Sequence, residues 1–237
     1  MRKAGRLTAK ICSALVKFAA PGRATADVDA YAAELIRESG ARSAFLGYRG
    51  FPGNVCVSVN EEVVHGVPGP RIIKSGDIVS LDVGVELNGF FGDMAHTVMI
   101  GAVKPEITAL VAATQIALDK GIEQARAGKR LSDISHAVET YAKKKGYSVV
   151  RDFVGHGIGR QMHEDPQLPN FGPPGKGPKL KPGMIFAIEP MINMGAPDID
   201  ILDDGWTVVA RDRMCSAHFE HTVAVGEFGA EILTIEG

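Results

Sequence analysis

The chain reads as an α+β protein with a mainly antiparallel sheet, assembled from two similar halves, and three observations carry that prediction. Helix-period and strand-period segments alternate along it with no linker or low-complexity stretch. Two stretches, KSGDIVSLD at Lys74–Asp82 and KPGMIFAIE at Lys181–Glu189, repeat one pattern at an offset of 107 positions, from Asp82 to Glu189. A second echo, HTVMIG from His96 and HTVAVG from His221, recurs at an offset of 125. Each copy is a Gly-led apolar strand ending in a carboxylic acid, followed by a second strand with an acid near its start, Asp93 in one and Glu220 in the other. The pattern predicts a duplication within one domain spanning 1–237, with halves of roughly 1–120 and 121–237 related by a pseudo-two-fold axis between the four acids.

Taken in order, a first helix over about 3–19 carries Leu7, Ile11, Leu15 and Phe18 at helical spacing and stops at Pro21-Gly22. The second starts near Thr25, buries Val28, Ala32, Leu35 and Ile36, and ends at Gly40. NVCVSVN at Asn54–Asn60 alternates as a strand does, and Ile78–Val85 and Ala95–Ile100 are two more strands with the hairpin signal Asn88-Gly89 between them. One helix enters at Pro105; another is capped by Ser132 and closed by Gly146. A strand over Ser148–Val154, a Pro/Gly-rich loop over Pro166–Pro182 and the second acid-bearing strands complete the chain.

Composition narrows the function. With 45% hydrophobic and 23% charged residues in 237, the chain can bury a sizeable core. A formal net charge of −2 and a pI near 6.4 give no reason to expect nucleic acid as a partner. Cys12, Cys56 and Cys215 are an odd, widely spaced set without a CxxC pair, which suits a reducing compartment and neither a disulfide framework nor a thiolate zinc site. No apolar run approaches ~18 residues and MRKAGRLTAK lacks a signal peptide's apolar centre, so a cytoplasmic protein with no membrane span is expected.

The chemistry concentrates at the acids. Asp82 and Asp93 lie across the first hairpin, where a paired register puts both on one face; Glu189 and Glu220 occupy the second pair of strands. Four carboxylates gathered at strand ends repel unless a cation sits among them, which predicts a pair of metal ions. GHGIGRQMHEDP adds His156 between two glycines and His163 seven residues on, and His65 in VVHGVP mirrors His156 in the first half. His96 and His136 read as structural residues, and His221 is left between a structural role and a hydrogen-bond partner to a ligand. Oxygen-rich donors with one imidazole suit Mn, Fe(II), Co or Zn without choosing among them.

Together NVCVSVNEEVVHGVP, SGDIVSLDVG, GDMAHT, GHGIGRQMHE, FAIEP and SAHFEHT resemble, in order and over nearly the whole chain, the signatures of type I methionine aminopeptidases. The resemblance implies the pita-bread fold, two pseudo-symmetric halves with a curved antiparallel sheet covered by helices. It also implies two divalent ions and removal of the initiator methionine from nascent polypeptides whose second residue is Gly, Ala, Ser, Thr, Pro, Val or Cys. By matching position, Asp82, Asp93, His156, Glu189 and Glu220 are the ligands, with Asp93 and Glu220 bridging. Glu189 accepts the attacking water's proton, His163 bonds the developing oxyanion, and His65 contacts the scissile amide and assists the leaving amine. The wall of the methionine pocket is Phe45, Tyr48, Phe51, Cys56, Met162 and Trp206.

The chain departs from the common pattern at Phe51, where tyrosine is frequent, Phe45, where cysteine is frequent, Met162, where phenylalanine is frequent, and His218, where glutamine is usual. Typical members carry further helix before MRKAGR, which makes Met1 read as an internal methionine, and the short form without a zinc-finger extension resembles the bacterial one. The resemblance implies a monomer with access to the ribosome, and by analogy a monovalent-cation site near Ser80, Val83 and Ser216. Two rivals are weighed: a Xaa-Pro aminopeptidase or prolidase, whose extra N-terminal domain 237 residues cannot hold, and a pita-bread binding protein that has lost its ligands, against which all five ligand positions stand intact.

Overall fold

The computed structural model describes residues 1–236, and its elements follow from the local signals with few exceptions. Helix α1 (Arg2–Phe18) buries Ile11, Cys12 and Leu15, and α2 (Thr25–Glu38) buries Val28, Ala32 and Ile36, one stripe on each. Asp27 starts α2 by accepting the Ala24 N–H at 2.8 Å. The strands of the first half are β1 (Arg42–Ser43), β2 (Cys56–Val59), β3 (Glu62–Val64), β4 (Ile78–Leu87) and β5 (Phe90–Met99). β4 pairs antiparallel with β5 along one edge and with β1 and β2 at the two ends of the other. Between β4 and β5, Asn88 and Gly89 have φ of 54° and 77°, the left-handed pair that a two-residue turn of matching twist requires.

In the second half come α3 (Pro105–Ile122), α4 (Leu131–Lys144), β6 (Ser148–Val149), β7 (Gly155–Gly157), β8 (Glu164–Leu168) and β9 (Ile185–Ile188). They are followed by β10 (Met191–Asn193), β11 (Ile199–Ile201), β12 (Val208–Ala210), β13 (Ser216–His218), β14 (His221–Val225) and β15 (Ala230–Ile232). The main sheet here runs β15-β14-β9-β7-β8, and β12 joins the halves by pairing with β3. Each half has its own apolar core under its helices. One gathers Leu15, Val28, Val57, Val79 and Leu81; the other gathers Leu118, Ile134, Val138, Phe186 and Ile188.

Three expectations need correction. The segment expected as a strand over 148–154 is strand only at Ser148–Val149, because β6 pairs with β10 and the chain then changes sheet before β7, which begins at Gly155 and pairs with β9. Part of the expected loop, up to Leu168, is strand β8, hydrogen-bonded to β7. Ser132 does not cap α4: its hydroxyl accepts the Lys176 N–H at 2.7 Å, and Asp133 takes the cap by accepting the Arg130 N–H at 2.8 Å.

The repeated motifs fold into the same register. Ser80 faces Thr97 and Leu81 faces His96 in the first half; Ala187 faces Thr222 and Ile188 faces His221 in the second. The offsets of 107 and 125 therefore carry all four pairings of β9 with β14 onto pairings of β4 with β5. The halves meet through their matching threonines. Thr222 accepts the Asp93 N–H at 2.9 Å and donates to the Asp93 carbonyl at 2.8 Å. Thr97 does the same to His218, accepting its N–H at 2.9 Å and donating to its carbonyl at 2.7 Å. Between these clamps the Glu220 N–H donates to the Ala95 carbonyl at 2.9 Å.

Candidate metal centre and its cavity

The register decides where the acids point. Asp82 faces Ala95 and Asp93 faces Gly84, so the two side chains are separated by an even number of steps and share a face. On β7 and β9, His156 faces Ala187, and Glu189 lies two residues beyond Ala187 on that same face. Glu220 immediately precedes β14, held by its bond to Ala95. Ligand atoms of Asp93, His156 and Glu220 lie within 4.8 Å of one another. His156 Nε2 is 3.5 Å from Glu189 Oε1 and 3.8 Å from Asp93 Oδ2. Its Nδ1 lies 2.8 Å from the Gly157 carbonyl, a contact that fixes the ring and, with the proton on Nδ1, leaves the Nε2 lone pair facing the acids.

Electrostatics marks the cluster as incomplete by itself. Asp93, Glu189 and Glu220 are all pushed well above the usual carboxylate range, first by burial and then by one another's charge or that of Asp82. Asp82 rises to about 7, driven by burial. Asp82 Oδ1, Asp93 Oδ1 and Glu220 Oε1 are buried without a hydrogen-bond partner among the described residues. Buried acceptors left unpaired are costly, and a multivalent cation among them removes both the orphaned lone pairs and the repulsion. The donor set thus fits a hard or borderline divalent metal ion.

These groups form one end of a cavity of about 760 Å³. All thirteen residues expected in the site line it: the four acids and His156, His65 and His163, and Phe45, Tyr48, Phe51, Cys56, Met162 and Trp206. The aromatic wall is interlocked, with Phe51 edge-on to Phe45 at 6.5 Å and to Trp206 at 5.2 Å. His163 is placed between Tyr48, stacked at 5.2 Å, and His156 at 4.2 Å. His65 adopts a left-handed φ of 57° and packs edge-on to Phe153 at 5.1 Å. Burial, and then the charge of His163, holds His65 and His156 down at about 4, and burial lowers His163 as well. All three imidazoles are therefore neutral at pH 7, able to donate one proton and accept another.

Several groups escaped the sequence reading. Asn170 Nδ2 donates to the Glu189 carbonyl at 3.0 Å and fixes the end of that strand. Phe153, which shapes the His65 side of the cavity, directly precedes the GHG segment by two residues and gave no signal of its own. The Thr222 clamp had a legible signal, because its triplet is one of the duplicated ones. His221 resolves as structural: its Nδ1 lies 2.9 Å from Thr234 Oγ1. His96 packs edge-on to Phe219 at 4.9 Å, and His136 Nδ1 lies 3.2 Å from the Gly172 carbonyl, neither in the cavity.

Known proteins resemble the whole of this arrangement. Methionine aminopeptidase 1 of Bacillus subtilis is 50% identical, covering 99% of this chain and 94% of its own length. The methionine aminopeptidase of Clostridium perfringens is 51% identical over the same shares. Among solved structures, methionine aminopeptidase from Thermotoga maritima superposes with a TM-score of 0.98 at 44% identity, covering 100% of this chain and 95% of that one. That from Rickettsia prowazekii gives 0.97 at 42% identity, covering 99% and 95%. The architecture is the pita-bread fold of these structures. Prolidase from Pyrococcus furiosus shares the fold alone, with a TM-score of 0.81 at 22% identity and 63% of its length covered. Residues 1–227 match the description of the metallopeptidase family M24, and with the acid cluster at the meeting of the halves the chain belongs to that family.

Proposed function

We propose that this chain is a methionine aminopeptidase that removes the initiator methionine from polypeptides with a small second residue. The observation that carries the reading is the single cavity in which a buried carboxylate–imidazole cluster faces a wall of Phe45, Phe51, Cys56, Met162 and Trp206. Asp82, Asp93, His156, Glu189 and Glu220 would hold two divalent ions, of Co, Mn, Fe(II) or Zn, with Asp93 and Glu220 as the carboxylates shared by both. When bound, such ions polarise the scissile carbonyl and lower the pKa of water. The apolar wall takes the methionine side chain, whose thioether sulfur packs well against ring edges. Glu189, at the cluster's edge, accepts the proton of the attacking water and passes it toward the leaving amine. The neutral His163 donates a hydrogen bond to the oxygen that gains negative charge, and neutral His65 contacts the scissile amide and assists departure of the amine.

On the same reading the substrates are N-termini of nascent chains, including those still on the ribosome, met by a cytoplasmic monomer. No helix among the described residues is long and apolar enough to cross a membrane. The test compares Met-Ala-Ser with a Xaa-Pro peptide in metal-depleted buffer and after addition of Mn, Fe(II), Co or Zn. Methionine release from Met-Ala-Ser on metal addition, with Met-Lys resisted, is the expected result. Turnover of the Xaa-Pro peptide alone, or none with any metal, overturns the assignment.

A further inference from the structure

The LDVG motif ends in a glycine that nothing in the proposed chemistry uses. Gly84 lies two residues beyond Asp82 on β4, so its missing side chain belongs to the face that carries the acid. Its pairing with Asp93 is regular and its φ is one any residue adopts, so neither a bulge nor a special backbone conformation calls for glycine. Space does. A Cβ at Gly84 would stand 2.6 Å from Cε1 and 2.9 Å from Cζ of Phe45, and 3.0 Å from the Ala44 Cβ. The tip of the Phe45 ring occupies the volume that any other residue at 84 would fill.

The Phe45 backbone is held in place, so any adjustment falls to its ring. Its segment is stitched to β4 by the pairs Arg42–Glu86 and Ser43–Val85 and by the Ala44 N–H on the Gly84 carbonyl at 3.0 Å. Ser43 Oγ accepts the N–H groups of Phe45 at 3.1 Å and Leu46 at 3.0 Å and donates to the Asn54 carbonyl at 2.8 Å. With the backbone held and Phe51 edge-on against it, a ring displaced from Gly84 moves into the cavity that it lines.

We propose that Gly84 is a specificity-determining position of the first-residue pocket: the side chain it lacks is the seat of the Phe45 ring, and through that ring it sets the room left for methionine. This rests on the methionine reading given above for the same cavity. Gly84 is a positioning residue, acting only through Phe45.

Trp206 is the sole tryptophan and lines the cavity, so free L-methionine binding is followed by its fluorescence in Zn-supplemented enzyme, separately from turnover. Gly84→Ala is expected to weaken methionine binding about tenfold or more and to raise KM for Met-Ala-Ser more than it lowers kcat, with metal content near wild type and Tm lowered by several degrees. In a Phe45→Ala background the same Gly84→Ala change is expected to shift affinity less than about twofold, because no ring is left to be pushed into the cavity, although the Ala44 Cβ contact remains. Phe45→Ala alone is expected to admit bulkier first residues. The proposal is overturned if Gly84→Ala binds methionine within about twofold of wild type, or if its effect is undiminished when Phe45 is alanine. Should Gly84→Ala fail to fold, the double variant must fold and bind; its failure also overturns the proposal. Wild-type protein that binds methionine but leaves Met-Ala-Ser intact defeats the proposed function and leaves this inference standing.

Discussion

The two halves use one hairpin register for different ends. In the first, β4 and β5 run for ten residues each and close through Asn88-Gly89. In the second, the equivalent strands β9 and β14 keep the same pairings, yet Glu189 and Glu220 are separated by a connection that holds β10 to β13 and Trp206. Pseudo-symmetry matches Thr97 with Thr222, Asp93 with His218 and Ala95 with Glu220. The second acid thus stands two positions further along in one half than in the other. Because side chains alternate with period two, that step keeps it on the same face of its strand. The comparison teaches that the two halves share a register and differ in the length of the connection between their acid-bearing strands.

The largest break in this comparison comes from the acids themselves. Glu189→Gln and Glu220→Ala, one from each strand of the second copy, are expected to lower kcat by more than ~100-fold, or about 3 kcal/mol of transition-state stabilisation, with the protein still folded. Turnover of Met-Ala-Ser at saturating metal, alongside metal content, checks it; activity within a few-fold of wild type sinks the ligand assignment.

A finer comparison sets Thr222→Val against Thr97→Val. Each leaves a buried N–H and carbonyl without the hydroxyl that served both, at a cost of roughly 1–3 kcal/mol, or a fall of several degrees in Tm. The two differ in what they were holding. Thr222 clamps Asp93, and its loss is expected to weaken metal affinity by about 10–100-fold; Thr97 clamps His218, and metal affinity should change much less. Equal metal affinities in calorimetric titration would show that the clamps do not orient ligands.

The smallest effect tests the short connection. Asn88→Ala places alanine at a left-handed φ of 54° and should cost about 1 kcal/mol through turn strain, while kcat on Met-Ala-Ser stays within twofold. A large loss of turnover would mean that the distant hairpin end shapes the site.

Much of this was legible because it is written locally. The alternation in IVSLDVGVEL, the Asn-Gly turn and the Thr222 triplet state which residues face each other. Helices α1 and α2 were legible from their apolar stripes. The strand expected over 148–154 was not, since local apolar character cannot say that a chain will leave one sheet at Val149 and join another at Gly155. Ser132 misled for a related reason: its hydroxyl had a tertiary partner at Lys176, and the cap passed to Asp133.

The sequence by itself determined the acids, their strands and their common face, because a period-two pattern repeated with its terminal acid leaves one register in which the apolar side is buried. Only the tertiary structure decided that Phe45 rests where Gly84 has no side chain, that Asn170 holds Glu189, and that Phe153 walls His65. Those contacts join residues far apart in the chain through shape alone, and close packing of particular side chains leaves no periodic trace along a sequence.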